Sequence, residues 1–262
     1  MYESGHYKLY LSPEDDATAR LLLSAGEDVY PVLVRVYGGA PANKTSVYVF
    51  PTVEAARELV SLPPTVQPGS SGGSFDAFPP LGDGIKGYNI LGGDGQVNDM
   101  RVEGVKSFFA HEGGHRFFYY MYPRLRKPVR PNWLDEGMAM YAGEQATDGF
   151  REYGFGVARE KIISDGPTSL KELDRLQESA ETLELFYGES SAVINYLVGR
   201  YGEDGLRSLL AEYNRTRDLN GAFKKTFGVS EKDFELQYSN RTKEMASRAA
   251  DGNEFYRLLK AG

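Results

Sequence analysis

The segment Phe108–Tyr120 reads FFAHEGGHRFFYY and carries two of the chain's three histidines, His111 and His115, with Glu112 directly after the first. In a helix, residues four apart lie on one face about one turn from each other. Two imidazoles so placed can share one zinc ion, and an adjacent carboxylate can take a proton from a water whose pKa zinc lowers toward neutrality. The plainer alternative is an ordinary helical face, since most histidines bind no metal.

A catalytic zinc site normally has three protein ligands, so two histidines leave one to be found. Downstream, PNWLDEGMAMYAGE reads as a helix starting near Asn132, and its Glu136 lies 21 positions after His115, room for a loop and a returning helix. The intervening YPRLRKPVRP is rich in Pro and Arg; its prolines stop the first helix and let the second approach at an angle. Asp135 points about 100° away from Glu136 around such a helix and is expected to be an exposed or supporting carboxylate.

The pair HEGGH and WLDEGMAMY resembles the peptidase MA-like gluzincins, and the Trp-Leu-x-Glu-Gly core resembles the aminopeptidase N group. The resemblance implies a zincin-like zinc metallopeptidase holding one Zn²⁺ per chain on His111, His115 and Glu136, with Glu112 as general base. A third stretch, LFYGESSAVINYLVGRYGEDGLRSLL, is similar to the gluzincin segment in which a tyrosine precedes a helix and lines the active site. That places Tyr187 as a phenol donor to the developing oxyanion. Among 18 tyrosines, a buried aromatic at a helix start is the competing reading, and Tyr141 and Tyr153 are weaker rivals for the role.

The resemblance spans about residues 100 to 245, including AFKKTFGVSEKDFE, similar to the family's terminal helical region. Two departures matter. The exopeptidase signature Gly-x-Met-Glu-Asn is absent, GYNILGG standing near its place, so no acidic anchor for a substrate amino terminus is visible and internal cleavage is expected. Met140 stands where thermolysin-like enzymes carry a supporting aspartate, so another residue must orient a ligating histidine.

Elements must position these groups. His6–Leu11 alternates like a strand, and a helix follows from about Glu14, with Ser12 as cap and Pro13 in the first turn. Val47–Phe50 reads as a strand, and Thr52 as the N-cap of the helix VEAARELVSL. Pro63–Gly84, with PGSSGGS at its centre, reads as a long loop, and Gly87–Leu91 as an edge strand able to pair with an extended peptide. The rest is mainly helical, over about 102–122, 132–144, 187–201, 204–213 and from 230 onward. The fold class expected is α+β and zincin-like: an N-terminal α/β lobe with a small sheet over 1–95, then a helical zinc-binding lobe over 96–262, forming one catalytic unit.

Gly113 and Gly114 each cost a helix roughly 1 kcal/mol against Ala, a cost tolerated where substrate or packed backbone comes close. Arg124, Arg126, Lys127 and Arg130 form a basic cluster that reads as a solvated loop before it reads as a site for acidic substrates. His6 is isolated and receives no role.

Composition limits the alternatives. With 262 residues, 41% hydrophobic and 26% charged, the chain can bury a sizeable core, while a net charge of -7 and a pI near 5.2 argue against nucleic acid as a partner. The expected partner is a peptide or protein substrate. No stretch approaches the roughly 20 apolar residues of a membrane-spanning helix. The absence of cysteine excludes disulfides and thiolate metal sites but gives no compartment. The opening MYESGHYKLY has no signal-peptide pattern, which suits a cytoplasmic protein or an exported mature chain without its leader. Two other functions fit the same residues: a zinc-containing peptide-binding protein that does not cleave, and a zinc hydrolase of a non-peptide bond.

Overall fold

A computed structural model describes residues 1–11, 16–58, 72–76, 84–88, 99–125, 131–147, 154–176 and 182–262. The chain divides into two compact units, residues 1–120 with 142–149, and residues 121–141 with 150–262. The lobe boundary expected near residue 95, the cap Ser12 and the first-turn Pro13 lie outside the described residues.

The first unit holds a five-stranded sheet of β1 (Tyr2–Glu3), β2 (Tyr7–Leu11), β3 (Thr45–Phe50), β4 (Gly72–Asp76) and β5 (Gly84–Tyr88), in the order β1-β2-β3-β5-β4. β2, β3 and β5 run parallel, with Leu9 opposite Val47 and Val47 opposite Ile85; β1 and β4 pair antiparallel at the two edges. Parallel neighbours require a crossover, and α1 (Asp16–Tyr37) supplies the one from β2 to β3. Its buried residues Ala19, Leu22, Ala25, Gly26, Val29, Leu33 and Val36 recur at three- and four-residue spacing, the apolar stripe a helix needs to cover a sheet. Alternate strand residues Tyr7, Leu9, Val47, Val49 and Ile85 are buried, while Tyr10 and Tyr48 stack at 4.7 Å. Thr52 caps α2 (Val53–Arg57) by accepting the Ala55 N–H, as expected.

Two expectations are corrected here. β5 begins three residues before the expected Gly87 and is an interior strand, bonded to β3 on one side and β4 on the other; it offers no free edge, and residues 89–91 lie outside the described residues. The partner that covers it, β4, comes from within the Gly- and Ser-rich stretch read as loop. Glycines there weaken the local strand signal, and only pairing with β5 supplies the ladder. Residues 63–71 and 77–83 of that stretch lie outside the described residues. His6, left without a role, belongs to a strap: its Nδ1 lies 2.6 Å from Glu27 Oε2, its ring stacks on Tyr30 at 3.6 Å, and Ser4 Oγ donates to Glu27 Oε1 at 2.6 Å.

The second unit is helical. Its longest element, α7 (Leu183–Thr216), is broken by Gly202 at φ 73°, so the two helices expected over 187–201 and 204–213 are its two arms, but the first begins at Leu183 and Tyr187, expected at its start, lies within it. Around it stand α5 (Phe155–Asp165), α6 (Leu170–Leu176), α8 (Leu219–Phe227), α9 (Glu231–Arg248) and α10 (Gly252–Ala261). Three N-termini are locally encoded: Asp218 accepts from Gly221, Asp251 from Glu254, and Ser230 forms a capping box with Asp233. Close backbone approach fixes α10 on α7, where a Cβ on Gly199 would stand 2.2 Å from the Leu259 carbonyl. Arg124 Nη1 donates to the Arg215 carbonyl at 2.8 Å, a cation at the end of α7 where the helix dipole favours one. That part of the basic cluster is structural; Arg126, Lys127 and Arg130 lie outside the described residues. No helix among the described residues is long and apolar enough to cross a membrane.

Candidate metal centre

The two histidines stand on α3 (Asp99–Met121). One ridge of this helix, Val105, Phe109, Gly113 and Phe117, recurs every four residues and is buried. It packs on α1 and the sheet: Phe109 meets Tyr7 edge-on at 5.3 Å, Phe117 meets Tyr30 at 5.4 Å, and a Cβ on Gly113 would stand 2.7 Å from Leu33 Cδ1. The glycine therefore serves close packing against a helix. His111 and His115 come two positions after Phe109 and Gly113, about 200° around the helix, so packing the ridge turns both imidazoles away from α1. Ser107, one turn before His111 on the same face, holds its Oγ 2.8 Å from Thr147 Oγ1. Thr147 directly follows α4 (Asn132–Ala146), so the end of the second helix is tied to the histidine face of the first.

α4 carries Glu136. Its preceding residue Pro131 has no side chain able to cap, and the first-turn N–H of Trp133 is met instead by Asp174 Oδ1 of α6 at 3.2 Å. A turn later Gly137 lies against α7: a Cβ there would stand 2.6 Å from the Ser190 carbonyl oxygen and 2.8 Å from Ile194 Cγ1. Helix α4 is thus held at its start and beside Glu136. Asp135 is only 2% exposed, so of the two readings expected for it, exposed or supporting, the exposed one does not hold.

His111, His115 and Glu136 each offer one ligand atom, and these atoms all lie within 4.8 Å of one another. The two Nε2 atoms face each other at 3.3 Å, with the rings nearly perpendicular. Tetrahedral zinc with Zn–N near 2.0–2.1 Å separates two nitrogen ligands by about 3.3 Å, so the imidazole pair has the spacing the ion requires. Two neutral imidazoles and a carboxylate are also a donor set suited to zinc. Glu112 sits between the histidines in sequence and is buried, at 7% exposure.

Tyr187 is half-buried in the second turn of α7, three residues before the Ser190 carbonyl that Gly137 abuts. Its following residue is pinned as well: a Cβ on Gly188 would stand 2.2 Å from the Gly154 carbonyl, Gly154 itself being left-handed at φ 80° where α5 begins. Tyr141, the first rival, is buried and donates its hydroxyl to Glu203 Oε1 at 2.9 Å, a structural use. Tyr153 lies outside the described residues.

Two groups escaped the sequence reading. Glu189, buried on α7, accepts the Thr168 N–H on Oε1 at 2.9 Å; burial pushes its carboxyl pKa up, against the opposing pull of the Thr168 bond and Lys161. Asp174 serves α4 from 38 residues downstream of Glu136. No local pattern marks either, because their partners are brought to them by helix packing alone.

The family model of the Peptidase MA superfamily matches residues 99–244, more than half of the chain and all of the residues just described on α3, α4, α6 and the first arm of α7. No curated protein matches the chain with significance.

Proposed function

Because the chain belongs to the Peptidase MA superfamily, we propose that it is a zinc-dependent peptidase, of gluzincin type, in which His111, His115 and Glu136 hold one Zn²⁺ and Glu112 is the general base. The observation that carries this reading is the gathering of one potential ligand atom from each of the three residues within 4.8 Å. Zinc bound there supplies a Lewis acid for the scissile carbonyl and lowers the pKa of water toward neutrality.

The chain's own residues do the rest. Glu112, fixed on the same turn as both histidines, takes a proton from the attacking water and later delivers one to the leaving amine. Tyr187 donates its phenolic proton in a hydrogen bond to the oxyanion, a contact that strengthens as negative charge develops and so favours the transition state over the substrate. No covalent intermediate forms. The substrate is a peptide or protein chain, and cleavage is internal, since GYNILGG carries no acidic group to hold a free amino terminus.

Metal content and hydrolysis of a mixed peptide library, measured on the wild type, Glu112→Gln and Glu136→Ala, test this reading. About one zinc per chain in the wild type and Glu112→Gln, weakened binding in Glu136→Ala, and cleavage by the wild type alone are expected. Zinc bound without any cleavage would turn the assignment toward a peptide-binding protein or a hydrolase of another bond. A wild type that takes up no metal removes it.

A further inference from the structure

Glu136 stands on α4, whose N-terminal flanking residue, Pro131, has no side-chain acceptor to cap the helix. The N–H of Trp133, one turn before Glu136, is met by Asp174 Oδ1 from α6. A carboxylate in that place satisfies a donor that the helix leaves open and complements the positive end of its dipole. Asp174 is in turn placed by α6, a helix of seven residues anchored at its own start. Thr168, two residues before it, donates its N–H to the buried Glu189 on α7, and the Leu170 N–H is accepted by Glu235 Oε1 on α9 at 2.8 Å. On its other side α4 is stopped by the contact of Gly137 with the Ser190 carbonyl of α7. Glu189 and Ser190 are consecutive, so α7 holds the ligand helix twice: directly at Gly137, and through Thr168, α6 and Asp174 at Trp133.

We propose that Asp174 is a positioning residue for the metal ligand Glu136, and that α6 acts as a brace between α7 and the first turn of α4. The inference rests on the reading of Glu136 as a zinc ligand. Asp174 does not touch the metal; it removes the freedom of the first turn of α4 to fray or rotate. Holding the carboxylate where zinc needs it lowers the ordering cost of binding.

The test compares zinc affinity, by competition with a chromophoric chelator, with backbone amide exchange at Trp133 in the metal-free protein, for the wild type, Asp174→Ala, Asp174→Asn, Lys171→Ala and Glu136→Ala. Lys171 is an exposed residue of the same helix. Asp174→Ala is expected to weaken zinc about tenfold and to speed exchange at Trp133, while Asp174→Asn, which keeps an acceptor, loses about two- to threefold. Lys171→Ala stays at the wild-type value. Wild-type zinc affinity in a folded Asp174→Ala, with Glu136→Ala impaired, overturns the brace and leaves the metal assignment standing. Unchanged affinity in Glu136→Ala overturns both. Should Asp174→Ala prove too unstable to titrate, Asp174→Asn decides alone: unchanged affinity together with unchanged exchange at Trp133 overturns the proposal.

Discussion

Gly137 meets the backbone carbonyl of Ser190 so closely that a methyl group added at its Cα would lie 2.6 Å from the oxygen. The obstacle is helix backbone and cannot rotate aside as a side chain would. Gly137→Ala must therefore push α4 off α7, and Glu136 is the adjacent residue. A loss of about 1–3 kcal/mol in urea denaturation is expected, with weaker zinc binding. Gly104→Ala is the control. A Cβ at Gly104 meets nothing within 4 Å, so removing a helical glycine there should stabilise by roughly 0.5–1 kcal/mol.

The oxyanion role proposed for Tyr187 is separable from the structural bond that Tyr141 makes to Glu203. Tyr187→Phe should lower kcat by about 10²–10³ with little change in KM or zinc content, as removal of one oxyanion donor does. Tyr141→Phe loses the bond to Glu203 and should cost stability, about 1 kcal/mol, with kcat near wild type. Steady-state kinetics beside thermal melts distinguish the two, and a kcat loss confined to Tyr141→Phe would reverse the assignment.

Glu189 gives stability a pH dependence of definite sign. Burial raises its folded-state pKa above the ordinary 4.5. A carboxyl group shifted this way contributes its full stability below pH 4.5, and that contribution is lost as pH rises through the folded-state value. Glu189→Gln stays neutral and keeps an acceptor for the Thr168 N–H. Its melting temperature should match the wild type at pH 4 and exceed it increasingly toward pH 7; a constant offset across that range would contradict the assignment.

Zinc should stabilise the folded chain by mass action. At a free concentration 100 times Kd the gain is about 2.7 kcal/mol, visible as a rise in melting temperature that a chelator reverses. His115→Ala, which removes one proposed ligand, should show little of that rise. An equal response in wild type and variant would assign the stabilisation to metal bound elsewhere.

The elements that carry the candidate site were legible because their signals are local. A histidine pair at helical spacing, a proline-rich break and a second helix with an acidic residue are all short-range patterns, and α3, α4 and the two arms of α7 fall where those patterns lie. Thr52 and Ser230 behave the same way, since a cap bonds within its own first turn. The sheet was only partly legible. A strand such as β4, with glycines at Gly72 and Gly73, has little propensity of its own and exists because β5 offers it a ladder.

By itself the sequence determined which side chains could act, and that His111 and His115 would share a helical face, because a helix fixes the angle between residues four apart. Only the tertiary structure decided which way that face points. Val105, Phe109, Gly113 and Phe117 pack toward α1, and the histidines are thereby turned to the opposite side. It also decided that Glu136 comes within 4.8 Å of them, that Asp135 is buried, and that a carboxylate 38 residues further on accepts the Trp133 N–H at the start of α4. Distances between helices depend on which side chains interdigitate and where a glycine admits a backbone, as Gly137 does at Ser190. These are properties of packed pairs, and no single stretch of chain contains them.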